Sequence, residues 1–231
     1  MVISGLQKLT LLDYPGHTAC TVFTPHCNWR CPFCHNAALV LRGDEQPPVD
    51  PETFFAFLGK RKGLLDGVAV TGGEPTLQKD LPDFLRRVKD MGFAVKLDTN
   101  GTHPAMLRAI LEEGLADYVA MDIKAGRDNY PSVTGTLRPG LEAVEESAAV
   151  LMAGKTDFEF RTTVVKELHT MKDFRDIASW LAGEEKYFLQ AFKDSGDILA
   201  GDYSAYPREK MDEFRAAVLP FLPNTEIRGM D

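Results

Sequence analysis

The sequence predicts an α/β fold built on a parallel β-sheet, and three observations lead to this prediction. Six short segments rich in β-branched and aromatic residues recur along the 231-residue chain. Between them lie amphipathic segments with helical periodicity. Glycines close most of these helical segments, as expected where a chain leaves a helix. Strands that alternate with helices indicate βαβ units, in which successive strands are parallel.

The six predicted strands are short and mostly apolar. The run TACTVFT at 18–24 is typical of them, because its β-branched side chains fit the pleated surface of a sheet. The predicted strands span residues 18–24, 68–71, 93–97, 118–123, 158–165 and 187–192.

Each predicted helix begins or ends at a residue that favours that boundary. Asp50 can cap the first helix, with Pro51 in its first position. Glycines that end helices stand at Gly63, Gly92, Gly114, Gly154 and Gly183. The predicted helices span residues 51–62, 80–91, 104–113, 141–153, 171–182 and 207–219.

The number of repeats limits the architecture. Six strand–helix repeats are too few for a closed eight-stranded barrel of about 250 residues. Periodicity alone leaves both an open doubly wound sheet and a partial barrel. No composition shift marks a domain boundary, so we expect one domain over residues 1–231.

The composition excludes several classes of protein. Hydrophobic residues make up 44% and charged residues 26%, with a formal net charge of −8. No apolar run approaches the roughly 18–20 residues that cross a bilayer, and the N-terminus lacks the blocks of a signal peptide. An acidic surface disfavours nucleic-acid binding. We therefore expect a cytoplasmic protein with no membrane or nucleic-acid partner.

The four cysteines carry the strongest chemical signal. Cys27, Cys31 and Cys34 lie within eight residues, directly after the first predicted strand, whereas Cys20 lies inside that strand. Three thiolates on one loop can bind three corners of a cubane iron–sulfur cluster and leave the fourth iron open. The alternative is structural zinc, completed by His26 or His35, although zinc sites usually pair their ligands in two separated knuckles.

The loop CNWRCPFCHN resembles the signature of the radical S-adenosylmethionine (SAM) superfamily. Its spacing is C-x3-C-x2-C, and Phe33 is the aromatic residue before the last cysteine. The continuation through His35 and Asn36 is similar to that of the glycyl-radical-enzyme activating enzymes. The resemblance implies a partial (β/α)6 TIM-like barrel of parallel strands, a [4Fe–4S] cluster on the three cysteines, and SAM at the open iron.

A glycine-rich turn follows the second predicted strand. Gly72 and Gly73 permit a tight turn and close backbone approach, and Glu74 can accept a hydrogen bond from an ammonium group. Read alone, the segment is an ordinary strand-to-helix turn. Together with Pro75 it resembles the superfamily motif that holds the amino group of SAM.

A second turn, Asp98-Thr99-Asn100-Gly101, follows the third predicted strand. By itself it reads as a turn with capping side chains. It resembles the segment near the ribose of SAM in the activating enzymes. That resemblance also gives Asp98 a possible role in binding a monovalent cation.

Three charged residues on later strands extend the resemblance. Asp122 and Lys124 share one face of the fourth predicted strand, and Arg161 lies in the fifth. In the family, residues at comparable positions approach SAM. Asp13, in the turn before the first strand, resembles the family residue at the entrance for the target. Here Tyr14 follows it, where the family more often has a small residue.

The placement of four of these motifs supports the resemblance. The cysteine loop, the glycine turn, the turn at Asp98 and the segment from Asp122 to Lys124 lie at the carboxyl ends of successive predicted strands, and such ends meet on one face of a parallel sheet. The opening GLQKLTLLDYPG is similar to the activating proteins of anaerobic ribonucleoside-triphosphate reductase. The resemblance implies that a 5′-deoxyadenosyl radical abstracts hydrogen from a glycine of that partner. It also implies an electron donor related to flavodoxin or ferredoxin.

Two alternatives remain. The first is a radical SAM enzyme acting on a small molecule, such as a 7-carboxy-7-deazaguanine synthase, although that family tends to have Asp-Thr where this chain has His35 and Asn36. The second is a zinc or iron–sulfur module without enzymatic activity.

Overall fold

A computed structural model describes residues 1–183, 186–194, 196 and 198–230. Its strands form a single sheet in which spatial order follows chain order. The strands are β1 (Gly5–Thr10), β2 (Ala19–Thr24), β3 (Gly67–Gly72), β4 (Ala94–Thr99), β5 (Tyr118–Asp122), β6 (Asp157–Val164), β7 (Tyr187–Ala191) and β8 (Glu226–Arg228).

The helices connect the parallel strands. They are α1 (Ala37–Leu41), α2 (Pro51–Gly59), α3 (Leu81–Asp90), α4 (Pro104–Glu112), α5 (Tyr130–Thr134), α6 (Leu141–Ala153), α7 (Met171–Trp180) and α8 (Arg208–Val218). None of the helices in the described part of the chain is long and apolar enough to cross a membrane.

The predicted fold class is confirmed. β2 to β8 run parallel, each beside its neighbour in sequence, and the sheet does not close on itself. The six predicted strands correspond to β2–β7. Two edge strands were missed: β1, which pairs antiparallel with β2, and the three-residue β8. β1 reads GLQKLT and buries only Thr10, so its sequence shows little of the apolar pattern of a buried strand.

The first long helix is shorter than predicted. Asp50 caps α2 as expected, accepting a hydrogen bond of 2.9 Å from the Thr53 N–H. The helix ends at Gly59, however, and tight turns carry the chain through Gly63, which has a φ of +77°. Gly63 therefore lies within the turns that follow the helix and does not end the helix itself.

The two faces of the sheet differ in chemistry, because successive residues of a strand point to opposite sides. Val95 and Leu97 of β4 face the helices and are fully buried in the apolar core. Lys96 and Asp98, which alternate with them along β4, point to the opposite face of the sheet, which is concave. Glu159, on β6, is also buried there, with 1% of its surface exposed. The concave face is thus lined with charged side chains that need partners within the fold.

Candidate functional site

The carboxyl ends of β2 to β6 surround one cavity, which we call the cluster cavity. All three cysteines of the loop line it, together with residues from each of the turns identified in the sequence. Its lining is Cys27, Trp29, Cys31, Phe33, Cys34, His35, Asn36, Val40, Thr71, Gly72, Gly73, Glu74, Asp98, Thr99, Asn100, Asp122, Lys124, Arg161 and Thr163. The predicted convergence of these motifs is therefore present in the fold.

Three of the four cysteine thiols lie on the loop after β2, and the fourth lies within β2 itself. Cys31 is buried and Cys27 and Cys34 are partly exposed, all on the cavity wall. The Cys34 N–H donates to the Cys31 carbonyl at 3.0 Å, which tightens the turn between them. Cys20 is fully buried within β2 and is not part of the wall.

Hydrogen bonds outside the cavity hold the loop in place. The Trp29 indole N–H donates to the Pro139 carbonyl at 2.9 Å, and the Arg30 N–H donates to the Thr134 carbonyl at 2.9 Å. On the other side, the Asn36 amide donates to the Gly72 carbonyl at 2.8 Å. The loop is therefore fixed both to the α5 region and to the glycine turn.

The three thiols suit a cubane cluster better than a single ion. Within the described ranges, no group of three or more histidine, cysteine or acidic side chains converges on one metal position. A cubane binds each thiolate through a different iron, so its ligands need not meet at a point. Burial raises the pKa of Cys31 to about 12 and that of Cys27 to about 11. Cationic iron would keep them as thiolates.

The glycine turn packs directly against the cysteine loop. A Cβ added to Gly73 would lie 1.8 Å from the His26 carbonyl oxygen. The neighbouring Glu74 N–H donates to that same oxygen at 2.7 Å. Only glycine allows this approach, so the requirement for glycine at position 73 is a requirement of packing between two segments of the site.

Glu74 is turned into the protein. With 1% of its surface exposed, its carboxylate accepts hydrogen bonds from Thr76, Thr99 and Asn100. The Asn100 N–H lies 2.7 Å from Oε2, and the Thr99 hydroxyl lies 2.8 Å from Oε1. The Glu74 carboxylate therefore joins the two turns to each other, and its hydrogen-bonding capacity is largely used within the fold.

A chain of alternating charges crosses the concave face. Lys96 is paired with Asp98, whose other oxygen accepts from the Arg161 guanidinium at 3.1 Å. Arg161 Nε donates to Asp122 at 2.6 Å. The second oxygen of Asp122 accepts from Lys124 Nζ at 2.9 Å. The inward-pointing arginine thus has the carboxylate partners that its burial requires.

The charge chain keeps its carboxylates ionised. Burial alone would favour the neutral acids, but Arg161 together with the neighbouring lysines outweighs it and lowers the pKa of both Asp98 and Asp122. All four carboxylate oxygens already accept from a cationic side chain. A monovalent cation on Asp98 would therefore have to share a carboxylate oxygen that already accepts from Lys96 or Arg161.

A second cavity, the lateral cavity, opens between the two edges of the sheet. Its lining is Leu11, Leu12, Asp13, Pro15, Lys96, Asp98, Glu159, Arg161, Gln190, Ile227, Arg228 and Gly229. It shares Asp98 and Arg161 with the cluster cavity. Asp13 accepts a hydrogen bond of 2.5 Å from Thr21 and stands at this opening.

Tyr14 points away from both cavities described so far. It is 2% exposed, packs against the backbone of Gly67 and stacks on His17 with ring centroids 4.1 Å apart. The larger residue at this position therefore fills the amino-terminal end of the sheet and does not obstruct the lateral cavity.

Several wall residues were missed in the sequence. Lys96 stands two residues before Asp98, and Thr163 stands two residues after Arg161, so strand alternation could have identified both. Trp29 carries no such signal, because the irregular loop fixes its direction. Arg228 and Glu159 reach the lateral cavity through the order of the strands.

Comparison with known proteins agrees with this geometry. The family model described as the radical SAM superfamily matches residues 21–181. A protein of Methanocaldococcus jannaschii, provisionally named a glycyl-radical enzyme activating enzyme, is 32% identical over 221 residues, 93% of this chain and 89% of its own length. A protein of Halobacterium salinarum, provisionally named a GTP 3′,8-cyclase, is 34% identical over 142 residues, 57% of this chain and 38% of its own length.

Solved structures share the fold at low identity. Streptococcus suis SuiB superposes with a TM-score of 0.68 and 11% identity over 90% of this chain, which spans 48% of that structure. A structure of anSMEcpe with bound AdoMet has a TM-score of 0.58 and 15% identity, over 89% of this chain and 62% of its own. Because the family model matches most of its length, this chain belongs to the radical SAM superfamily, whose cofactors are a [4Fe–4S] cluster and SAM.

Proposed function

We propose that this protein is an activating enzyme, an oxidoreductase that generates a glycyl radical in a partner protein. The partner we propose is the large subunit of anaerobic ribonucleoside-triphosphate reductase. When bound and supplied with one electron, the cluster and SAM would provide a 5′-deoxyadenosyl radical, with methionine as the leaving group, and this radical would take a hydrogen atom from the target glycine. The proposal is supported by the relative provisionally named as an activating enzyme, which matches nearly the whole chain.

The proposed roles follow the walls of the two cavities, except for that of Pro75, which is next in sequence to the wall residue Glu74. Cys27, Cys31 and Cys34 would hold the cluster, and Asp13 would face the target. The residues proposed to bind or surround SAM are Phe33, Gly72, Gly73, Glu74, Pro75, Asp98, Thr99, Asn100, Asp122, Lys124 and Arg161. The proposal takes residues 1–231 as one domain, located in the cytoplasm and reduced by a flavodoxin- or ferredoxin-like donor.

The charge balance of the lateral cavity is the observation that favours a peptide over a nucleotide as the target. Three cations and three carboxylates line it, and each cation is paired with a carboxylate. Arg228, for example, lies 2.8 Å and 3.0 Å from the two oxygens of Glu159. A peptide backbone is neutral, so it needs no uncompensated charge in the wall.

A nucleotide target would need a different wall. The relatives provisionally named GTP 3′,8-cyclases match only part of this chain. A triphosphate carries several negative charges, and its recognition requires arginine or lysine side chains that are available to it. The rim of the lateral cavity instead presents apolar side chains, with Leu11 70% and Leu12 90% exposed. Such a rim suits a protein surface.

The direct test is transfer of the radical to the partner. The reconstituted protein, SAM and a reductant are mixed without oxygen with the reductase large subunit, and EPR is recorded. We expect a doublet from an α-hydrogen-coupled glycyl radical, which disappears when the target glycine of the partner is replaced by alanine. Turnover of GTP without any partner radical would refute the proposal.

A matched pair of variants tests the lateral cavity. Leu12→Asp places a charge on the proposed docking rim, whereas Leu64→Asp changes a leucine that is 64% exposed elsewhere. We expect Leu12→Asp to slow radical formation on the partner while SAM cleavage without partner is unchanged. Leu64→Asp should affect neither. Equal rates of partner activation in both variants would contradict the proposed docking at this cavity.

A further inference from the structure

A fully buried histidine lies behind the cluster cavity and plays no part in the proposed chemistry. His169 stands in the loop between β6 and α7 with 0% of its surface exposed. Its Nε2 is 2.7 Å from the Lys124 carbonyl oxygen, and its Nδ1 is 3.0 Å from the Val165 nitrogen. Both ring nitrogens are therefore engaged with main-chain atoms.

The shortest of these contacts, at Nε2, assigns the tautomer of His169; Nδ1 also lies 3.2 Å from the Val165 carbonyl oxygen, a longer contact. A carbonyl oxygen can only accept, so Nε2 must carry the proton and donate it to Lys124. Nδ1 is then free to accept from the Val165 N–H. Burial lowers the pKa of His169, which favours this neutral form. The ring thus has one defined orientation and one defined donor.

The hydrogen bond from His169 completes the support of Lys124. On the other side of this residue, the Lys124 N–H donates to the Tyr130 hydroxyl at 3.1 Å. The preceding Ile123 carbonyl accepts from the Thr162 hydroxyl at 2.7 Å. With its main chain held on both sides, Lys124 directs its ammonium into the cluster cavity, where it pairs with Asp122.

His169 also contacts the cysteine loop. Its ring packs edge-to-face with Phe33, with ring centroids 6.4 Å apart, and Phe33 stands between Cys31 and Cys34. Lys124 lines the same cavity wall as these two thiols, so its positive charge faces the space that the cluster would occupy. One side chain therefore connects the cationic residue to the loop that carries the cluster ligands.

We propose that His169 is a positioning residue that fixes the Lys124 ammonium beside the cysteine loop and thereby sets the reduction potential of the cluster. A nearby positive charge stabilises the added electron, and outer contacts of this kind tune metal centres. The inference depends on the cofactors of the family and not on which partner the enzyme activates.

The experiment is a redox titration of the reconstituted full-length protein, followed by EPR without SAM. His169→Asn and His169→Gln form a matched pair, because only the longer glutamine amide extends to the position of Nε2. We expect a lower midpoint potential in His169→Asn and a potential close to wild type in His169→Gln. Lys124→Met should lower the potential, and adding His169→Asn to it should lower it no further.

A control variant separates positioning from stability. Phe174 packs against the ring of His169 at 6.1 Å but takes no part in the hydrogen bond to Lys124. Phe174→Leu should lower the free energy of unfolding and leave the potential unchanged. The proposal is overturned if His169→Asn shifts the potential equally with and without Lys124→Met. It is overturned as well if Phe174→Leu gives the same shift or if both His169 variants keep the wild-type value.

Discussion

The substitution Gly73→Ala tests how the glycine turn is seated on the cysteine loop. The new Cβ would lie 1.8 Å from the His26 carbonyl oxygen, whereas real Cβ contacts essentially never fall under 3.0 Å. The two backbone segments must therefore separate by more than about 1 Å, since neither is a flexible side-chain end. The separation would stretch the hydrogen bond from the Glu74 N–H to the same oxygen, now 2.7 Å.

The size of the effect follows from the cost of overpacking. Inserting a methyl group into a packed site costs about 1–3 kcal/mol, and a loss of about 1.4 kcal/mol corresponds to a tenfold change in an equilibrium constant. We therefore expect the affinity of Gly73→Ala for SAM to be lower than that of the wild type by about tenfold or more. Cluster content should be retained, because no cysteine is altered.

The assay is equilibrium binding of SAM to the reconstituted protein, with urea unfolding of the same sample. Gly59→Ala is the matched control, because its Cβ would meet only the Met91 side chain, at 3.8 Å. It makes the same chemical change at a helix end and should leave SAM binding unchanged. If Gly73→Ala binds SAM as tightly as wild type and is as stable as Gly59→Ala, the proposed role of this contact is wrong.

Three further predictions concern the cluster, the buried carboxylate and the charge chain. Cys31→Ala should lose the cluster, measured as iron and sulfide content, while Cys20→Ala keeps it; the reverse pattern would show that the ligands are misassigned. Glu74→Gln replaces one carboxylate oxygen by an amide NH2 group beside the Asn100 N–H, so the free energy of unfolding in urea should fall by about 1–3 kcal/mol. An unchanged urea midpoint would refute the proposal that Glu74 joins the two turns. Arg161→Met should cost about 1.5–3 kcal/mol near neutral pH, because the partly buried Asp98 and Asp122 each lose one of their two cationic hydrogen-bond partners. In the wild type, their lowered pKa gives stability that is present above the ordinary aspartate pKa of about 4 and is lost as the pH falls from there through the lowered value. Without Arg161 this contribution is smaller, so the stability difference should stay constant down to about pH 5 and shrink as the pH falls below about 4. A difference that does not change over this range would contradict the assignment.

Local sequence patterns predicted the repeated strand–helix units and the site residues that stand at the ends of those strands. The six central strands could be predicted because β-branched runs and glycine stops are properties of neighbouring residues. The convergence of Cys27, Gly72, Asp98 and Asp122 followed from parallel topology, since each stands at or just beyond the carboxyl end of its own strand. Alternation also predicted that Asp122 and Lys124 share a face, and their side chains are paired at 2.9 Å.

The same reasoning could not assign partners across strands. Glu74 lines the cluster cavity as expected, but the sequence did not show that its carboxylate also bonds to Thr99 and Asn100, which are 25 and 26 residues away. The edge strand β8 was missed because three residues carry too little periodicity, and its pairing with β7 supplies the stabilisation. Tyr14 was noted as a larger residue, but only the fold shows that its ring turns to the other end of the sheet.

The class of fold, the cysteine loop and the strand ends that meet around it could be read from the chain, because these depend on spacing between residues close in sequence. Only the folded structure shows which charges neutralise each other, why Gly73 must be glycine, and how His169 reaches Lys124. These depend on distances between residues that are remote in sequence. Hydrogen bonding and packing act only over a few ångströms, so such contacts exist only after the sheet has brought its strands together.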